Sequence, residues 1–199
     1  LFTPTAEAVG MAASATAVAE GSGVTNDITF TITRTGTLSD AVQVNYTVVG
    51  TGGNPVDYLD FTGSALSGLH QFAAGEASHT ITLTLNADNV VEPDETVALR
   101  LDNVFGAVAI NTLSPEIVVE NDDTAGVDVA GATNLAVSET GATATYTLTL
   151  TSEPTGVVTV TVAPDARLDV GNGGGGSAAL TFDANNWDTG QAVVVTAVD

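Results

Sequence analysis

The sequence predicts an all-β chain folded as two tandem antiparallel β-sandwiches, the second of which lacks its last strands. Apolar residues alternate with threonine at residues 28–32, 81–85, 146–150 and 158–162. A period of two places one set of side chains in a core and the other set in water. Clusters of Gly, Asn, Asp and Pro separate these stretches at short intervals, as in sandwich domains, and no segment shows a helical apolar stripe.

The same order of features occurs twice along the 199 residues. Each copy begins with a glutamate before a small-residue turn, at Glu20 and at Glu139, and a phenylalanine-bearing segment follows later, at Phe72 and at Phe182. Such self-similarity predicts two copies of one domain. We therefore divide the chain into an N-terminal segment (1–12), a first sandwich (13–123) and an incomplete second sandwich (124–199).

The second copy is shorter than the first. Two strand-like stretches of the first copy, 94–102 and 115–121, have no equivalent before Asp199. A sandwich without its last strands has unpaired backbone edges. We expect either that the natural chain continues into neighbouring domains or that another chain supplies the strands. In the second case, segment 1–12 is the candidate donor strand of a head-to-tail polymer.

The charge balance is strongly acidic. Asp and Glu together number 24, against three basic residues and no lysine, for a formal charge of −21. This charge repels nucleic acid and anionic membranes, so neither is an expected partner. No apolar run is long enough to predict membrane insertion. Without cysteine, no disulfide stabilises the fold, which leaves bound metal as one alternative.

The acidic residues of the first copy lie in turns that a sandwich brings to one end. They are Glu20, Asp57, the acids of the loop 88–95, and the closing group Glu120, Asp122 and Asp123. Scattered carboxylates usually form a solvated surface, but gathered carboxylates without cations repel one another or bind protons. Ca²⁺ removes this conflict and accepts six to eight oxygen ligands in flexible geometry, whereas Mg²⁺ requires strict octahedra. The positions therefore predict calcium binding.

The first copy resembles the Calx-beta domain, a module of sodium–calcium exchangers, an integrin β subunit and large bacterial surface proteins. The matching motifs, in order, are Glu20-Gly21, Gly50-Thr51-Gly52 before Asp57-Tyr58, Phe72-Ala73-Ala74-Gly75-Glu76, Glu92-Pro93-Asp94-Glu95 and Asn121-Asp122-Asp123. The resemblance implies an immunoglobulin-like sandwich. It also implies calcium bound in the loops at one end, near the C-terminal junction.

Carried over by position, the resemblance implies seven ligands in the first copy: Glu20, Asp57, Asp88, Glu92, Glu95, Asp122 and Asp123. Where exchanger domains have a run of aspartates, this chain reads Asn86-Ala87-Asp88-Asn89, which implies fewer or weaker ions. Glu95 is either a ligand or a residue that orients the ligands.

The second copy resembles a related repeat of bacterial surface proteins. The resemblance rests on Leu180-Thr181-Phe182, on Asn185-Asn186-Trp187 and on the valine-rich strand that ends at Asp199. It implies a second calcium site with Glu139 and Asp199 as ligands, assisted by Asp165 or Asp169.

We expect a calcium-binding structural module of an extracellular surface protein, adhesin or filament, in which Ca²⁺ rigidifies the domain end and the junction to the next domain. One alternative is a calcium sensor of a signalling protein, which would change shape at micromolar calcium. The other is a carbohydrate-binding adhesin domain, which would expose aromatic side chains near a cleft.

Several other residues carry weaker signals. We do not expect an enzyme, because the Ser and Thr residues lack a His or Lys partner, and the pair Glu92 and Glu95 fits metal better than glycoside cleavage. His70 and His79 have no paired spacing and are expected on the surface. Trp187 is expected to pack against the second sandwich, and the glycine run 173–176 to form a flexible hairpin loop.

Overall fold

A computed structural model describes residues 6–198, which divide into two compact units. The first unit comprises the chain up to Asp88 together with Glu92–Asp122, and the second comprises Asn89–Val91 together with the chain from Asp123 onward. The first unit contains the strands β1 (Ala8–Ala13), β2 (Ala17–Ala19), β3 (Asp27–Thr35), β4 (Val42–Gly50), β5 (Ser67–Phe72), β6 (Ser78–Thr84), β7 (Glu95–Phe105), β8 (Val108–Ala109) and β9 (Ile117–Glu120). The second contains β10 (Val127–Ala130), β11 (Ala144–Leu150), β12 (Val158–Val162), β13 (Leu168–Asp169), β14 (Ala178–Phe182) and β15 (Gln191–Ala197).

The first unit is a sandwich of two sheets with strand orders β6-β3-β1-β8 and β2-β9-β7-β4-β5. Its pairs are antiparallel except β1 with β8 and β2 with β9, which are parallel. The alternating residues predicted to face inward do so: Ile28, Phe30 and Ile32 on β3 are fully buried, and the intervening threonines are not. The two sheets thus enclose one hydrophobic core.

The N-terminal segment, predicted as a separate region of residues 1–12, contributes a strand to this unit. β1 pairs with β3 from Ala8 opposite Thr35 to Ala13 opposite Phe30. The predicted boundary after residue 12 therefore falls inside β1. Alternating side chains of β1 reach the core, where Val9 is fully buried. Residues 1–5 of the predicted donor segment lie outside the described residues.

A buried arginine stabilises the start of β1 by hydrogen bonds. The guanidinium of Arg34 on β3 donates from Nε to Glu7 Oε2 at 2.9 Å and from Nη1 to the carbonyl oxygen of Ala73 at 3.1 Å. It also donates from Nη2 to the carbonyl oxygen of Asp40. Arg34 is only 2% exposed, and its charge is matched by Glu7, whose pKa is lowered mainly by this hydrogen bond.

The second unit has a smaller core between a four-stranded sheet, β10-β11-β15-β13, and the two-stranded sheet β12-β14. Its buried residues are Leu148, Leu150, Phe182, Val193 and Val195, and Trp187 packs against them as predicted. The segment 89–91 groups with this unit, and the carbonyl oxygen of Asn89 accepts a hydrogen bond from the Glu153 amide at 2.7 Å.

The predicted fold class, all-β with tandem immunoglobulin-like sandwiches, is confirmed. The backbone between residues 6 and 198 forms strands, turns and bends. Within that range no helix is long and apolar enough to cross a bilayer.

Candidate metal centre

The loop after β4 folds back onto the start of β7 and so brings Asp57 towards that strand. Thr96 provides the contact: its carbonyl oxygen accepts from the amides of Thr51 at 3.1 Å and Val56 at 3.3 Å, and its amide donates to Asn54 at 3.0 Å. Because Thr96 directly follows Glu95, the fold-back brings Asp57 towards Glu95.

Gly50 makes this fold-back possible. A Cβ atom at Gly50 would lie 2.6 Å from Pro55 Cβ and would also collide with the carbonyl oxygen of Val56. Real Cβ atoms do not approach other heavy atoms so closely, so only glycine fits here. The Gly-Thr-Gly-Gly run therefore has a structural role at this end of the sandwich.

Asp60 is held beside the strand that leads to Asp88. Its carbonyl oxygen accepts from the Asn86 amide at 2.9 Å. Its carboxylate accepts from the Asp57 amide, and the Asp57 carboxylate in turn accepts from the Leu59 amide at 2.6 Å. The turn 57–60 is thus a closed unit that places two carboxylates together.

The acidic loop before β7 is anchored to the end of β9. The Glu92 amide donates to Asn121 Oδ1 at 3.0 Å, and the Asn121 amide donates to Asp94 Oδ1 at 3.1 Å. Glu95 begins β7 opposite Val119. The Asp94 carboxylate therefore helps to hold the loop in place. Neither of these two hydrogen bonds uses the carboxylates of Glu92 and Glu95.

Five carboxylates form what we call the acidic cluster: Asp57, Asp60, Asp88, Glu92 and Glu95. Burial, followed by the charges of Asp88, Asp60 and Asp57, raises the pKa of Glu92. Burial, followed by the charge of Asp60, a hydrogen bond to Asp60 and the charges of Glu92 and Asp57, raises the pKa of Glu95 to about 7. The cluster holds more negative charge than its surroundings can balance.

The structure brings together four predicted ligands and adds one that the sequence analysis missed. Asp57 and Asp60 act electrostatically on both Glu92 and Glu95, and Asp88 acts on Glu92. The available signal for Asp60 was its spacing of three residues from Asp57 in a turn, which places both side chains near one point.

Three further predicted residues lie near the end of β9. Glu20 is 7% exposed, and its amide donates to the carbonyl oxygen of Glu120 at 2.9 Å. The next amide, of Gly21, donates to Asp122 Oδ1 at 3.2 Å. Asp122 is exposed, and Asp123 is half-buried in the second unit. The Gly21 amide and the Asp122 carboxylate are thus neighbours at the end of β9.

The predicted ligands of the second unit are less gathered. Glu139 is exposed in the loop before β11, and Asp199 lies outside the described residues. Asp165 forms an ion pair with Arg167 at 2.9 Å. Asp169 Oδ1 accepts from the amides of Gly171, Asn172 and Gly173 at 2.7–2.9 Å, so this carboxylate closes the glycine-rich loop.

The acidic cluster has the chemistry of a calcium site. Within residues 6–198, no three carboxylate or imidazole side chains converge as preformed metal ligands. The donors are all hard oxygens, which Ca²⁺ prefers. The pKa values of Glu92 and Glu95 are raised first by burial and then by neighbouring negative charge, and a bound cation would balance that charge. The residues present therefore fit a hard divalent ion.

Comparison with known proteins supports the resemblance seen in the sequence. The family described as the Calx-beta domain matches residues 5–123. The chain is 38% identical over 104 residues to the adhesion G-protein coupled receptor V1 of Danio rerio, a match that covers 50% of this chain and 2% of the receptor.

Solved structures of Calx domains are similar to the chain. The apo form of the Calx CBD1 domain aligns with a TM-score of 0.44 and 23% identity, over 58% of this chain and 98% of that domain. CBD12 of CALX1.2 aligns with a TM-score of 0.45 and 20% identity, over 96% of this chain and 75% of CBD12.

Proposed function

The chain belongs to the Calx-beta domain family, and on that premise we propose that it binds Ca²⁺ at the acidic cluster and serves as a structural module of an extracellular protein. One observation carries the proposal: Glu95 has a pKa of about 7 because burial and neighbouring carboxylates disfavour its ionised form. A carboxyl group in such a position binds either a proton or a cation. At neutral pH, the cation that suits an all-oxygen donor set is calcium.

Calcium would stabilise the loops of the first unit. In its absence, the turn 57–60, the residue Asp88 and the loop 92–95 gather like charges that repel one another. Saturation at about 100 times the dissociation constant adds about 2.7 kcal/mol to the free energy of unfolding. This gain is comparable to that of a disulfide, which a chain without cysteine does not have.

An extracellular location is consistent with calcium binding at the acidic cluster. Extracellular calcium modules need only about 10⁻⁴–10⁻³ M affinity, which a solvent-accessible cluster can supply. The similarity to an adhesion receptor supports the same placement. We further propose that calcium stiffens the join to the second unit, because the strand β9 that anchors the acidic loop runs directly into it at Asp122.

Calcium titration by calorimetry, with thermal unfolding in calcium and in EDTA, tests the proposal. We expect binding to the full chain and a calcium-dependent rise in the melting temperature of the first unit. Glu95→Gln should lose both effects. Glu116→Gln removes one charge at an exposed residue outside the cluster and should keep them. Equal calcium binding by both variants would contradict the assignment of the site.

A further inference from the structure

The two histidines of the chain meet at one open side of the first sandwich. His70 lies on β5 and His79 on β6, and these are the edge strands of opposite sheets. Their strand partners, Val44 and Ile32, are fully buried core residues. Both imidazoles therefore point inward between the sheets. The sequence predicted two surface residues, and each histidine is half-buried.

The rings are stacked. Their centroids lie 3.7 Å apart with an interplanar angle of 7°, and the edge of the His70 ring meets Phe72 at 4.6 Å and 87°. Two neutral rings, or one neutral and one protonated ring, pack favourably in this arrangement. Two imidazolium rings at this separation repel each other strongly, because the site is partly shielded from water.

The surrounding charges can balance only one proton. Glu76, in the turn between β5 and β6, has Oε1 2.8 Å from His70 Nε2. The pKa of Glu76 is lowered by the Ala73 amide first and by His70 next, so its ionised carboxylate accepts a hydrogen bond from His70. From β3, Arg34 adds a positive charge near the same turn. From β4, the Tyr46 hydroxyl lies close to Gly68.

The two histidines differ in their surroundings. His70 has Glu76 as its partner. The pKa of His79 is lowered, mainly by burial and next by the charge of His70, and Glu76 only partly offsets this. When both rings are protonated, two stacked positive charges lie beside the single carboxylate of Glu76.

We propose that the His70–His79 stack is an acid-sensitive clasp between the edges of the two sheets, which holds while at most one ring is protonated and opens when both are. Opening would separate the edge strands β5 and β6 from each other. Among the described strands, each of them pairs with a neighbour on one side. The clasp uses no carboxylate of the acidic cluster, so it is independent of the proposed calcium site.

Hydrogen exchange of the full chain in saturating calcium tests the clasp. Between about pH 7.5 and about pH 5, protection of β5 and β6 amides, corrected for intrinsic exchange, should fall about tenfold relative to the central strand β7. His79→Phe keeps an aromatic ring at the stack but cannot take a proton, so its protection should not fall between these pH values. Equal pH dependence in wild type and in this variant would overturn the proposal.

A histidine titration by NMR provides a measurement that needs no variant. In the wild-type chain the His79 step should lie below the ordinary histidine range, because burial and the charge of His70 oppose its protonation. A His79 step at the ordinary pKa would rule out the clasp, whatever the calcium measurements give.

Discussion

The side chains of Asp60 and Glu95 share a hydrogen bond, although both are carboxyl groups. An ionised carboxylate only accepts hydrogen bonds, so this bond requires a proton. Burial and the neighbouring Asp60 raise the pKa of Glu95 to about 7, so Glu95 keeps its proton to a higher pH than an ordinary glutamate does. The bond joins the turn after β4 to the start of β7. Without calcium, the proton balances part of the carboxylate charge that the cation would otherwise balance.

The first prediction concerns pH. The pKa of Glu95 is higher in the folded state than its ordinary 4.5, so the folded protein binds the proton more tightly than the unfolded chain. This contribution to stability is complete below pH 4.5 and is lost as the pH rises towards 7. In EDTA, denaturant titrations should therefore show the first unit losing stability over this range.

Calcium should reverse this trend, because the cation replaces the proton. Calcium affinity should rise with pH through the same range. For the stability measured in EDTA, the Glu95→Gln variant has no proton to lose and serves as the control, since the difference between it and wild type isolates Glu95 from the histidines. An unchanged pH dependence in this variant would contradict the role of Glu95.

The second prediction concerns Asp60. Asp60→Asn removes one charge from the cluster and keeps the size of the side chain. We expect calcium affinity to fall about 10- to 100-fold, measured by calorimetry. In EDTA at neutral pH the same variant should be more stable than wild type, because repulsion with Glu95 and Glu92 is relieved.

The opposite signs of these two effects distinguish a ligand site from a packing defect, which would lower stability in both conditions. Glu116→Gln serves as the matched control, because it removes one charge at an exposed position outside the cluster. It should change neither measurement.

The third prediction concerns the fold-back that delivers Asp57. Gly50→Ala forces a Cβ atom against Pro55 and Val56, so the loop must move away from Thr96. We expect a loss of stability of about 1–3 kcal/mol and weaker calcium binding. Gly53→Ala, three residues later, is the control, because a Cβ there meets nothing within 4 Å. If both variants behaved alike, the close approach at Gly50 would not matter.

Sequence patterns predicted the strands well because burial repeats every second residue. Ile28, Phe30 and Ile32 are all fully buried, as their alternation with threonine indicates. The resemblance to a known family named four members of the acidic cluster, because the family's motifs mark turns that share one end of the sandwich.

Contacts that depend on how the strands and loops are arranged in space were beyond these patterns. Asp60 joins Glu95 only because the loop after β4 returns to Thr96, and no periodicity encodes such a return. His70 and His79 stack because their strands, close in sequence, belong to opposite sheets. The start of β1 was assigned to a separate segment for a related reason, since it is the pairing with β3 that makes it part of the first sandwich.

The last prediction concerns Arg34. Its guanidinium is buried and bonds Glu7 and two backbone carbonyls, so Arg34→Met leaves these acceptors without their donor. We expect the free energy of unfolding of the first unit to fall by at least ~2 kcal/mol, with hydrogen-exchange protection lost first in β1. Arg167→Met removes an arginine whose side chain is 86% exposed and should change neither quantity. Full protection of β1 in Arg34→Met would show that strand pairing with β3 alone holds the N-terminal strand in place.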